Sequence, residues 1–120
     1  MQIATHHING AKIAEVLSAD TLIKTLEDGL DLLGNLYYQD FDKIVMQEHH
    51  ITPEFFDLKN GLAGEILQKF SNFRVQLAVV GDFTSYPGKS IRDFIYESNK
   101  KGQINFVSST AEALRILSIK

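Results

Sequence analysis

Three short apolar runs, Ile44-Val45-Met46, Val75 to Val80 and Ile104 to Val107, alternate along the chain with stretches whose apolar residues recur at helical spacing. Runs this short read as buried strands, and the stripes between them read as amphipathic helices. Strand, helix and strand in succession make a crossover unit, which is right-handed in nearly all cases. The alternation therefore predicts an α/β domain built on a mainly parallel sheet. Val75 to Val80 is the clearest strand, with Val75, Leu77 and Val79 on a strongly apolar face and Gln76, Ala78 and Val80 on a milder one.

The remaining elements follow from local signals. Gln2 to Ile8 and Ala11 to Leu17 flank Asn9-Gly10, a pair that tolerates the positive φ angles of a type I′ hairpin. Ser18 or Asp20 is a candidate cap for a helix from about Thr21 to Leu33, with Leu22, Leu26, Leu30 and Leu33 as its stripe and Gly34-Asn35 as its stop. Tyr37 to Asp40 then connects to a strand over Lys43 to Glu48. Thr52-Pro53-Glu54 reads as a helix start interrupted at Gly61 and Gly64, ahead of a helix carrying Leu62, Ile66 and Phe70. Ser90 to Asn99 reads as a helix closed by Lys100-Lys101-Gly102, and Ser109 with Glu112 forms a capping box for a last helix. The expectation is one domain over residues 1–120: an N-terminal β-hairpin followed by βα units, a five-stranded mixed, mainly parallel sheet and four main helices. If the strands follow chain order, the helices stack on one face and leave the other open.

Composition excludes several function classes. With 120 residues, 44% apolar and 22% charged, the chain has the makeup of a folded domain. No apolar run approaches the roughly twenty residues of a membrane helix, so no membrane association is expected. Met1 to Gly10 lacks the pattern of a secretory leader, which makes a cytoplasmic location the expectation. The absence of cysteine removes thiol nucleophiles, disulfides and zinc-thiolate sites. Twelve basic and fifteen acidic residues are intermixed, so there is no electrostatic footprint for nucleic acid.

Four separated motifs carry a family resemblance: Asp28-Gly-Leu-Asp-Leu-Leu-Gly-Asn35, the stretch from Phe55 to Phe70, Ala78-Val-Val-Gly-Asp-Phe83 and Asp93-Phe-Ile-Tyr-Glu-Ser-Asn99. They resemble, in order and across nearly the whole chain, the uncharacterised bacterial family called domain of unknown function 4180. That resemblance implies no established activity. The element order also resembles the STAS domains of anti-sigma factor antagonists, which implies a STAS-like topology, a partner kinase and a switch by phosphorylation of a serine at the start of the domain's own second helix. Here Asp57-Leu58-Lys59-Asn60-Gly61 occupies the corresponding stretch, with no hydroxyl at the acceptor position.

In parallel sheets, ligands gather outside the carboxyl ends of the strands. Ile51 to Gly61, Gly81 to Ser90 and Ser108 to Thr110 arrive there. Asp57, Lys59, Glu65 and Asp82 would bring carboxylates and a cation to that rim, the groups needed for acid-base chemistry; turn and helix-end roles compete with this reading. Phe55 and Phe56 are candidate partner anchors if exposed and core residues if not. Gly61 and Phe83 complete the candidate binding set. Pro87-Gly88-Lys89-Ser90 resembles the end of a phosphate loop, but Phe83 stands where such a loop needs glycine, and a turn followed by a Ser90 cap is the simpler reading. His6-His7 and His49-His50 each place neighbours on opposite faces of a strand, a poor arrangement for two ligands on one metal.

These features favour a non-enzymatic regulatory or protein-interaction module, with no cofactor and no metal, acting through a protein partner. The alternative is a small enzyme or ligand-binding domain using the rim carboxylates. A third reading is a homodimer formed through the milder sheet face, including Gln76 and Asn105, or through an edge strand.

Overall fold

The computed structural model describes residues 1–119. Asn9 and Gly10 take φ angles of 51° and 82°, and so fold Gln2–Ile8 (β1) back on Ala11–Leu17 (β2) with Ile8 opposite Ala11. From there the chain builds α1 (Leu26–Tyr38), β3 (Lys43–Gln47), α2 (Leu62–Asn72), β4 (Gln76–Val80), α3 (Lys89–Lys101), β5 (Ile104–Val107) and α4 (Thr110–Leu117). The sheet runs β1-β2-β3-β4-β5, antiparallel at the first pair and parallel elsewhere. The fold is thus α/β, with a five-stranded mixed sheet and four helices. Among the described residues no helix is long and apolar enough to cross a membrane.

Period-two alternation along the strands divides the interior into two layers. Ala14, Ile44, Met46, Leu77, Val79, Ile104 and Phe106 meet α1, α2 and α3 through Leu33, Leu36, Ile66, Phe70 and Ile91. Ile13, Val45, Ala78, Val80 and Val107 meet α4 through Ala113 and Leu117 on the other side. This corrects the expectation of one open sheet face. Handedness constrains a helix only when a parallel strand follows it, and α4 has none after it, so it is free to cover the second face. The milder face is therefore closed at the positions proposed for self-association. Asn105 is buried and donates to the Leu77 and Gly102 carbonyls, while Gln76 bonds Lys43 and the Gly102 carbonyl.

The first helix also departs from its expected bounds. It starts at Leu26, capped by Thr25 Oγ1, which accepts from the Asp28 N–H at 3.1 Å. Ile23, expected inside it, instead pairs in parallel with Ile51, and the amides of Leu22 and Ile23 both donate to the His50 carbonyl. The helix passes through Gly34-Asn35 and stops near Asp40, whose φ is 69°. Further on, α3 begins at Lys89, with Gly88 and not Ser90 at the cap, and Lys89 pairs with Asp93 at 2.8 Å.

Candidate functional site

Because β2 to β5 are parallel, their carboxyl ends, Leu17, Gln47, Val80 and Val107, lie at one rim, and the segments after them meet there. Gln47 Nε2 reaches Thr110 Oγ1 at 3.3 Å, joining the end of β3 to the start of α4. Directly after β3, Glu48 to His50 make a helical turn that sends the Glu48 carboxylate across the rim toward the segment after β4. One oxygen accepts from the Asp82 N–H at 3.3 Å, and the other accepts a short hydrogen bond from the Tyr86 hydroxyl. Burial first, and then the Glu48 carboxylate, push the Tyr86 phenol above its ordinary pKa.

The Glu48 bridge explains why residue 81 is glycine. A Cβ placed there would stand 2.7 Å from Glu48 Cβ, closer than side chains approach one another. Its φ is outside the left-handed region, so close approach and not backbone conformation is the requirement.

The histidine pair differs from expectation. His49 and His50 lie in the helical turn, and both Nε2 atoms reach the Ser18 carbonyl, at 3.0 and 2.9 Å. His50 Nδ1 accepts from the Gln47 N–H at 2.9 Å, so its proton resides on Nε2 and points at Ser18. Burial holds the His50 pKa below the ordinary value, with the neighbouring His49 adding to the effect and the Ser18 carbonyl opposing it. This histidine pins the end of β2 to the turn after β3.

The predicted site residues divide into three groups. Phe55 and Phe56 are buried, with 1% and 7% exposure, so of their two readings the core one holds and the exposed anchor does not. Phe56 stacks on Tyr86 at 4.6 Å between centroids and also meets Phe83 and Phe106. Phe55 meets Phe106 as well, so the pair closes the core beneath the rim. Asp57, Lys59, Gly61 and Glu65 are exposed, and Asp57 and Gly61 serve local structure: the Asp57 carboxylate accepts from the Lys59 N–H, and Gly61 takes φ 78° to start α2. Asp82 is exposed and accepts from the Thr84 hydroxyl and amide, which together keep its carboxyl below the usual range. Among the described residues no hydrogen bond or ion pair joins the side chains of Asp57, Lys59, Glu65 and Asp82 to one another.

Two concavities flank the Glu48 bridge. One, about 550 Å³, is lined by Thr21, Gln47, Glu48, His49 and Tyr86. The other, about 760 Å³, runs between α3 and the end of β5, with Phe83, Ile95, Tyr96 and Phe106 giving apolar surface and Asp82, Arg92 and Glu112 giving charge. Tyr96 is 66% exposed there. Glu48, Tyr86, Arg92 and Tyr96 were not among the residues singled out from the sequence.

Comparison with curated proteins yields no match, and comparison with solved structures yields none. The family described as domain of unknown function (DUF4180) matches over residues 8–117, and the chain belongs to that family.

Proposed function

We propose that the protein is a non-enzymatic, cytoplasmic regulatory module that binds a protein partner through the groove between α3 and the end of β5. The observation that carries this reading is the exposed Tyr96 in one groove with Phe83 and Ile95, lined also by the charged Arg92, Asp82 and Glu112. Interface centres are built in this way, from an aromatic residue and an arginine on an apolar floor with a polar rim. The rim carboxylates best placed for chemistry, Glu48 and Asp82, hold loops in position.

The test is affinity capture from native extract with wild type, Tyr96→Ala and Arg92→Glu. Both residues are exposed, so both variants should melt as wild type does while losing the captured partner. A partner retained equally by both variants refutes the groove as the site. A second reading, a small-ligand-binding domain, is favoured by the cleft beside Glu48, whose size falls in the range of metabolite pockets. Metabolites that co-purify with the protein and shift the amide resonances of Gln47, His49 and Gly81 would support it over the first.

A further inference from the structure

The two edges of the sheet are finished differently. In β5, Gln103 and Val107 turn their carbonyls toward β4, so Ile104 and Phe106 present main-chain groups outward. Three of those four outward groups are bonded by α3: Ser98 Oγ donates to the Ile104 carbonyl at 2.9 Å, and Asn99 Nδ2 donates to the Phe106 carbonyl at 3.2 Å. The Phe106 N–H in turn donates to Asn99 Oδ1 at 2.6 Å. The Asn99 carboxamide thus stands where a neighbouring strand's peptide group would be, and the edge is sealed.

At β1 no comparable seal is present among the described residues. In a two-residue hairpin the residues flanking the turn form a hydrogen-bonded pair, so Ile8, His6, Ala4 and Gln2 direct their main-chain groups to β2. Ile3, Thr5 and His7 direct theirs outward. Edge strands usually protect themselves with charged residues, proline or bulges, and Gln2–Ile8 contains no Lys, Arg, Asp, Glu or Pro and pairs with β2 without a bulge.

We propose that β1 pairs antiparallel with β1 of a second copy of this chain, on a two-fold axis through Thr5, joining two five-stranded sheets into one. Thr5 is the middle residue of the strand, so this register pairs all seven positions and makes about six main-chain hydrogen bonds. It sets Ile3 opposite His7 of the copy, Ala4 opposite His6, and Gln2 opposite Ile8. The charges are compatible: along one row Glu15 faces Ala4 and then His6 of the copy, and along another Lys12 faces His7 and then Ile3 of the copy. No two charges of one sign are set side by side. Leu17, 42% exposed beside Gln2, is brought toward the half-buried Ile8 of the copy.

The test is the mass in solution at micromolar concentration, by sedimentation or light scattering. Wild type should run as a dimer, and Thr5→Lys, which sets two ammonium groups face to face on the axis, should halve that mass with unchanged circular dichroism. The chain has no cysteine, so Thr5→Cys reports the register directly. The two Cα atoms would lie about 5.5 Å apart, within reach of a disulfide, and mild oxidation should yield a covalent dimer. Lys100→Cys, on α3, should stay uncross-linked. A monomeric wild type, or a dimer that survives Thr5→Lys, overturns the proposal. A dimer that Thr5→Cys does not lock overturns the register. If Thr5→Lys fails to fold, the wild-type mass and the cross-link decide the matter.

Discussion

Gly81→Ala is the substitution that most directly tests the Glu48 bridge. The added Cβ would stand 2.7 Å from Glu48 Cβ, so Glu48 must move and release both the Asp82 N–H and the Tyr86 hydroxyl. A hydrogen bond to a buried carboxylate is worth about 1.5–3 kcal/mol. Glu48 and Tyr86 are only half-buried, and solvent lowers the expected loss at this bond to about 1–2 kcal/mol. Losing the main-chain bond as well brings the total to roughly 2–3 kcal/mol. Alanine is compatible with the backbone at position 81 and restricts the unfolded chain, which returns about 0.4–1 kcal/mol. The net destabilisation should be about 1–2 kcal/mol, or about 4–8 °C in Tm for a chain of this size. The decisive assay is a double-mutant cycle by urea unfolding. Tyr86→Phe should cost about 1–2 kcal/mol in the wild type and almost nothing once Gly81→Ala has displaced Glu48. Additive effects of the two substitutions would refute the bridge.

Leu77 is fully buried between β3, β5 and the helices, so Leu77→Ala should destabilise by about 2–5 kcal/mol in thermal or urea unfolding, and a neutral outcome would contradict the core described above. His50 has its pKa lowered in the fold from the model-compound value of 6.5, so the unfolded chain binds its proton first; its contribution to stability is complete above about pH 6.5 and is lost as pH falls below that value. Urea midpoints measured from pH 8 down to pH 5 test the sign, and a His50 ring that titrates at or above 6.5 by NMR would reverse it. Asn99→Ala uncovers Phe106 on the edge of β5 and should destabilise by about 1–3 kcal/mol, while promoting higher-order association detectable by light scattering. Charge reversal at the exposed Lys59 should leave the urea midpoint nearly unchanged, whereas reversal at Asp57 also removes the acceptor of the Lys59 N–H and should cost about 0.5–2 kcal/mol; unfolding of the Lys59 variant would show that the residue is structural.

The parts of the fold legible in the sequence are those fixed by contacts close along the chain. The Asn9-Gly10 turn determines a seven-residue register by itself, and the Ser109 cap sets the start of α4 through an amide three residues away. The helix α1 starts at Leu26 and not near Thr21 because Ile23 pairs with Ile51 in an isolated bridge, and that pairing removes Leu22 from a stripe that otherwise continues without a break. Gly34-Asn35 looked like a stop but lies within the helix, where Leu33 and Leu36 are both fully buried and packing outweighs the low propensity of glycine.

The rim was predictable as a place because parallel strands must end together, but its chemistry was not. Glu48 reaches Tyr86 across 38 positions and the Asp82 amide across 34, and nothing within either segment signals the other. Phe55 and Phe56 show the same problem from the opposite direction. Two adjacent aromatic residues near a strand end suit an exposed anchor and a core plug equally well, and Phe83, Tyr86 and Phe106, all later in the chain, decide the question by enclosing Phe56. Enclosure also changes which residues face a partner. Once Phe56 fills the space beneath the rim, Phe83 packs against it with part of its surface still exposed, and Ile95 and Tyr96 of α3 extend that apolar surface outward. The aromatic cluster evident in the sequence is thus the support, and the surface it supports belongs to α3, whose sequence signals mark a helix and not an interface.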